Sequence, residues 1–239
     1  MLANQVAVVT GATSGIGQAI ALALAAQAVE LCLVGRNSSA LERVALVAQA
    51  KAPQVHRYRV DLSVDQDIKL LEDALRRDVG RVDILVHSAG AYARGPFQEA
   101  SMEDLDTLYR ANVRAPYQLT QGLLPMLVSS QGQIVFINSS VIQHSGANVG
   151  QFAATQHALK SLADSLRAEV SAVRVLSVFP GRTATPRQAR IHAMEAKPYH
   201  PERLLQPEDV AATVIQALGL PRSAEVCDIY LRPLAKPLQ

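Results

Sequence analysis

The 239-residue chain reads as a doubly wound α/β domain, with a mostly parallel sheet and helices on both faces. Three observations predict this. Short β-branched runs alternate with longer helical patterns nearly to the end of the chain. The runs are continuously apolar rather than alternating, as in strands buried on both faces. Strands spaced by helix-length connections pair in parallel through crossovers.

In order, Val6 to Thr10 is the first buried strand, and Gly15 to Gln27 is an alanine-rich helix whose small side chains let it lie close to a sheet. The strand pattern returns at Leu31–Val34, Val55–Val60, Ile84–Val86, Gln133–Ile137, Val173–Phe179 and Ile229–Leu231. Helices are expected between them at Ser38–Gln49, Val64–Val79, Met102–Val128, Gly150–Ser171 and Pro207–Leu218. Ser63 and Ser101 read as N-caps, and Pro207-Glu208-Asp209 puts proline and acids in a first turn. Residues 183–206, with Pro186, Pro198 and Pro201, read as one irregular segment, a lid or binding loop. With no repeat, low-complexity tract or linker, residues 1–239 form one domain.

Composition narrows the function. A hydrophobic fraction of 49% against 18% charged residues supplies a sizeable core and argues against disorder. A formal charge of +2 creates no field for nucleic acid or an anionic membrane. The longest apolar stretch, Ala19 to Gly35, is broken by Gln27 and Glu30, so no membrane span is expected. Cys32 and Cys227 belong to no CxxC pattern and both fall in apolar runs, so both are expected as buried thiols. The chain enters a strand almost at once, with no signal-peptide pattern. A cytoplasmic protein is the expectation.

The first chemistry-bearing feature is the turn Thr10-Gly11-Ala12-Thr13-Ser14-Gly15-Ile16-Gly17, between the first strand and first helix. Its glycine spacing is GxxxGxG rather than GxGxxG, but the physics is shared. Glycines bring backbone close to a pyrophosphate, and free N–H groups at the helix start face the anion. The end of the second strand then selects the dinucleotide. An acid there would take the ribose hydroxyls of NAD; this chain has Gly35-Arg36-Asn37. A small residue followed by arginine leaves room and charge for the 2′-phosphate, which favours NADP(H) over NAD(H).

At this point the chain resembles the short-chain dehydrogenase/reductase family, a Rossmann-fold family, over essentially its full length. Thr10 to Gly17 matches that family's TGxxxGxG, and Asp61-Leu62 matches the pair that contacts adenine. His87-Ser88-Ala89-Gly90 stands where the family has NNAG, keeping Ala-Gly and losing both asparagines. Asn112 matches the catalytic asparagine and Ser139 the catalytic serine. Pro180-Gly181 and Thr185 match the segment that meets the nicotinamide. The resemblance also implies a homodimer or homotetramer through the helices at Met102–Val128 and Gly150–Ser171.

The departure is at the centre. The family's YxxxK pair falls, without a gap, on Phe152 and Gln156. Four residues apart on a helix, the two side chains share one face. In the family, the phenol exchanges a proton with the substrate oxygen, while the lysine lowers the phenol pKa and holds the nicotinamide ribose. Phenylalanine has no proton to give. Glutamine can bond a ribose hydroxyl but carries no charge.

Substitutes for the lost acid are His144, in the connection from Ser139 to Phe152, and Tyr92, just past Ala89-Gly90. His157 points a quarter-turn away, and Lys160 lies one turn further along, expected on the surface or at a helix interface. The segment from Arg182 to Arg203 carries five Lys or Arg against two Glu, which suits a solvated lid or a hold on anions. Two function classes stand. One is an NADP(H)-dependent oxidoreductase acting on a small carbonyl or alcohol, divergent or impaired, with Ser139 orienting the oxygen. The other is a non-catalytic NADP(H)-binding sensor or partner subunit. A bare scaffold fits less well with the glycine turn, Arg36 and Asp61.

Overall fold

The computed structural model describes residues 2–235. Seven strands, β1 (Val6–Thr10), β2 (Glu30–Gly35), β3 (Val55–Arg59), β4 (Ile84–His87), β5 (Gln133–Ile137), β6 (Arg174–Pro180) and β7 (Asp228–Leu231), form one sheet. Their order is β3-β2-β1-β4-β5-β6-β7, and every pairing is parallel. Eight α-helices connect them: α1 (Gly15–Ala25), α2 (Ser38–Ala48), α3 (Asp65–Asp78), α4 (Met102–Tyr109), α5 (Ala115–Ser129), α6 (Gly150–Glu169), α7 (Pro186–Met194) and α8 (Pro207–Leu218).

Alternation along the strands sorts the apolar side chains into two cores. Ala7, Val9, Leu31, Leu33 and Val86 pack with Ile20 and Leu24 of α1, Val44 of α2 and Val214 of α8. Val6, Val8, Val34 and Leu85 pack on the other face with Leu71 of α3, Leu119 of α5 and Leu159 of α6. Chain order reverses between β1 and β4, and in such sheets the ligand crevice lies at the carboxyl ends of the strands beside that switch.

Four local expectations need correction. The helix read across Met102–Val128 is two helices joined by a π-helical turn at Arg110–Arg114. Pro116 explains it, because its missing N–H cannot serve the Asn112 carbonyl in an α ladder. The Ala115 N–H instead reaches back five residues to Arg110. Residues 183–206 are not irregular throughout, since α7 occupies 186–194. Pro186 is the first helical residue, behind a Thr185 cap that accepts from the Gln188 N–H at 3.1 Å.

Ser63 does not cap α3. Its N–H and hydroxyl both turn back to the Asp61 carboxylate at 3.0 and 2.7 Å, leaving Val64 at the cap position. Ser101 does cap α4, through the Asp104 N–H. Of the cysteines, Cys32 is buried and its thiol is pushed up to about 12, chiefly by burial. Cys227 is exposed, because it ends the loop before the edge strand β7 rather than lying in a central strand. No helix among the described residues is long and apolar enough to cross a membrane.

Candidate active site

The glycine turn is shaped by backbone crowding. Gly11 has φ +65°, and a Cβ there would stand 2.7 Å from the Ala89 nitrogen. A Cβ on Gly17 would meet the Gly11 carbonyl oxygen at 2.4 Å. The first turn of α1 therefore lies directly on the loop, and no side chain caps that helix start at Ser14. A group carrying negative charge suits such a cradle. Thr10 secures it: its buried hydroxyl donates to the Val86 carbonyl and accepts from the Ser88 and Ala89 N–H groups at 3.1 and 3.2 Å.

At the end of β2, Gly35 faces Thr13, whose Cγ2 would sit 2.7 Å from an added Cβ. Arg36 is exposed beside this gap. Asn37 caps α2 by accepting from the Ala40 N–H at 2.9 Å. Asp61 is held below the usual carboxylate range by the Ser63 N–H and hydroxyl, and further by the Arg36 charge. Arg36, Asp61 and Leu62 thus share one end of the crevice, with the start of α2 beside them.

The other wall carries the residues matched to catalysis. Asn112 sits in the π turn, buried, and clasps Ala91 by accepting from its N–H at 2.8 Å and donating to its carbonyl at 3.1 Å. It also donates to the Thr155 hydroxyl of α6 at 3.1 Å. Gly90 is pressed against this amide, with the Asn112 Oδ1 2.9 Å from where a Cβ would be. Ser139 follows β5 half-buried, and its hydroxyl accepts from the Val141 N–H at 3.3 Å. Neighbouring Asn138 donates to the Gln156 carbonyl at 2.9 Å, which ties β5 to α6. Gln156 is buried and Phe152 half-buried on the same helix.

The structure separates the two substitute acids. His144 lies exposed in the loop before α6, as His157 does on α6. Tyr92 instead meets Phe152 edge-on, ring centroids 5.0 Å apart. Burial raises the Tyr92 phenol, while Arg94 and Arg182 pull it back down and Glu195 opposes them. Lys160 is engaged elsewhere, with Asp164 and Asp228.

Several contacts around the site escaped sequence reasoning. His87, in the place of the first family asparagine, is buried against Thr120 at 2.8 Å and stacks on Phe136. Burial drops its pKa to about 3, so it is a neutral packing group. Arg182, Arg94 and Lys197 converge on the single carboxylate of Glu195, which lies in the 183–206 segment. Thr185 lies against the glycine turn, its Cγ2 2.9 Å from the place of a Gly15 Cβ. At the end of β6, after Pro180, the Gly181 N–H donates to the Leu231 carbonyl. Pro180, Gly181 and Thr185 were matched in advance by resemblance, while only the local charge of 182–203 pointed to the cluster at Glu195.

Comparison with known proteins agrees with this architecture. The family described as short chain dehydrogenase matches residues 5–196. An uncharacterized oxidoreductase from Staphylococcus epidermidis is 31% identical over 235 residues, covering 97% of this chain and 98% of the relative. Another from Staphylococcus saprophyticus is 32% identical over 241 residues, covering 98% and 99%. Among solved structures, an alcohol dehydrogenase from the archaeon Thermococcus sibiricus complexed with 5-hydroxy-NADP superposes with a TM-score of 0.89. It is 26% identical, over 98% of this chain and 99% of that one. A metagenomic short-chain oxidoreductase in complex with NADP gives 0.85 at 27% identity, again over 98% and 99%.

Proposed function

The chain belongs to the short-chain dehydrogenase/reductase family, and we propose that it is an NADP(H)-binding member in which α6 no longer delivers the proton. The observation that carries the nucleotide assignment is the Thr13–Gly35–Arg36 corner at the end of β2. A guanidinium beside a helix start, with no acid at that strand end, suits a 2′-phosphate and offers nothing to a free ribose diol. The glycine cradle at Gly11, Gly15 and Gly17, with Ser14, Ile16, Ser88 and Ala89 beside it, takes the diphosphate. Asp61 and Leu62 flank the adenine, and Gly90, Pro180, Gly181, Thr185 and Gln156 line the nicotinamide end. The relatives solved with NADP or 5-hydroxy-NADP support the same choice.

Bound NADPH supplies a hydride. The residual route for a small carbonyl substrate uses Ser139 to orient the oxygen and Tyr92 to give it a proton, because Tyr92 is the phenol that borders Phe152. Arg94 and Arg182 favour the phenolate left on Tyr92, against burial and Glu195, which keep the phenol protonated. A protein that binds NADP(H) without turnover is the second reading, favoured by the loss of both α6 groups. Met102, Tyr109 and Tyr117 are exposed on α4 and α5, which supports pairing with a second copy through these helices.

Fluorescence titration with NADPH and NADH tests the assignment. NADPH should bind at least about tenfold more tightly, and Arg36→Ala should erase most of that difference, as expected for one charged phosphate contact. Equal affinity for the two nucleotides sinks the Arg36 assignment, and binding of neither sinks the function.

A further inference from the structure

The cation that Gln156 lacks has a counterpart across the crevice. Arg187 stands in the first turn of α7, two residues beyond the Thr185 that rests on Gly15. From there its guanidinium crosses to the Gly90 carbonyl, 97 residues away in sequence, and donates to it. The two ends of this reach are α7, which lies over the glycine turn, and the segment after β4, which packs on that same turn at Ala89 and which Asn112 holds by both Ala91 backbone groups.

The electrostatics of Arg187 differ from those of its neighbours. Arg182, Arg94 and Lys197 share Glu195, and Arg36 lies near Asp61. Among the described residues, Arg187 has no carboxylate partner, and its one hydrogen bond is to a neutral carbonyl. Solvent reaches the side chain, yet the surrounding protein and the nearby Arg190 both depress its pKa. That combination describes a charge held beside the glycine turn, partly desolvated and, among the described residues, without a counter-ion. Such a charge is stabilised when an anion joins it.

Resting on the NADP(H) reading, we propose that Arg187 is a cofactor strap, which leaves the Gly90 carbonyl to grip the nucleotide diphosphate when NADP(H) binds. It returns from α7 the positive charge that α6 gave up at Gln156. The diphosphate is the natural anion, because the strap is rooted where α7 meets the glycine turn. A guanidinium presents two parallel donors to such a group.

The test compares wild type, Arg187→Gln and Arg187→Lys in equilibrium titrations with NADPH and with 2′,5′-ADP, at two salt concentrations. The second ligand keeps the 2′-phosphate but has no diphosphate bridge. Arg187→Gln should weaken NADPH binding by ~10- to 100-fold, the value of one charge-assisted hydrogen bond, and flatten its salt dependence. Binding of 2′,5′-ADP should change much less, Arg187→Lys should recover part of the loss, and the apo melting temperature should stay within a few degrees. An NADPH affinity within twofold of wild type overturns the strap while leaving the NADP(H) reading intact. An equal loss for both ligands also overturns it, and a wild type that binds no NADPH overturns both.

Discussion

The ring of Tyr92 meets the ring of Phe152 edge-on, with planes 65° apart and centroids separated by 5.0 Å. A phenol on the loop after β4 therefore borders the position that the family reserves for a phenol on α6. Under the proposed function, the phenol of Tyr92 is the candidate donor beside the phenylalanine at that position.

This arrangement predicts a reciprocal pair of variants. Phe152→Tyr with Gln156→Lys should raise NADPH-dependent reduction of small aldehydes and ketones by about 10²–10⁴, the usual contribution of a positioned general acid. Tyr92→Phe should remove whatever turnover the wild type shows. A double variant that binds NADPH yet stays at the wild-type rate would place the block elsewhere. Unchanged turnover in Tyr92→Phe would rule the phenol out as the proton source.

His87 should make stability fall in mild acid. Its pKa drops from an ordinary 6.5 to about 3 in the fold, so the unfolded chain takes up a proton that the folded chain refuses. The His87 contribution is complete above pH 6.5 and is lost progressively as pH falls from there toward 3. Thermal melting of wild type and His87→Asn between pH 7.5 and 4.5 reads this out, with the wild type losing more. Parallel curves would show that the imidazole is not the group responsible.

Gly17→Ala should invert the usual helix rule. Inside a helix this change normally gains ~0.5–1 kcal/mol. Here the new methyl would stand 2.4 Å from the Gly11 oxygen, so α1 must move off its own turn. A loss of about 1–3 kcal/mol in urea melting is expected, the scale of overpacking, together with loss of nucleotide binding. Wild-type stability with intact binding would show that the turn is slack.

The parallel sheet and the glycine turn were legible because each depends on residues close together in sequence. Val6–Val9 is uniformly apolar since both faces of the strand are covered, and Gly11 and Gly17 sit where backbone must touch backbone. What escaped is long-range or ambiguous. Pro186 counts toward an irregular segment until one sees that it opens a helix behind Thr185. Ser63 gives its N–H and hydroxyl to the Asp61 carboxylate instead of capping α3, and no local rule decides between the two. The Tyr92–Phe152 contact joins residues 60 apart in sequence, and the reach of Arg187 to Gly90 is longer still. Periodicity contains neither.

The π turn at Arg110–Arg114 also sets how this protein tolerates insertions and deletions. A wide turn holds one residue more than an α ladder needs, so deleting a residue there would remove the extra residue while Pro116 still withheld its N–H. The deletion would swing everything upstream by about 100° about the helix axis. The amide of Asn112 would leave Ala91, and α4 would present a different face to α6, against which it lies. The irregular turn is thus a phase setting between two helices, and the length of the 110–114 stretch should be far less negotiable than the side chains it carries, Asn112 excepted.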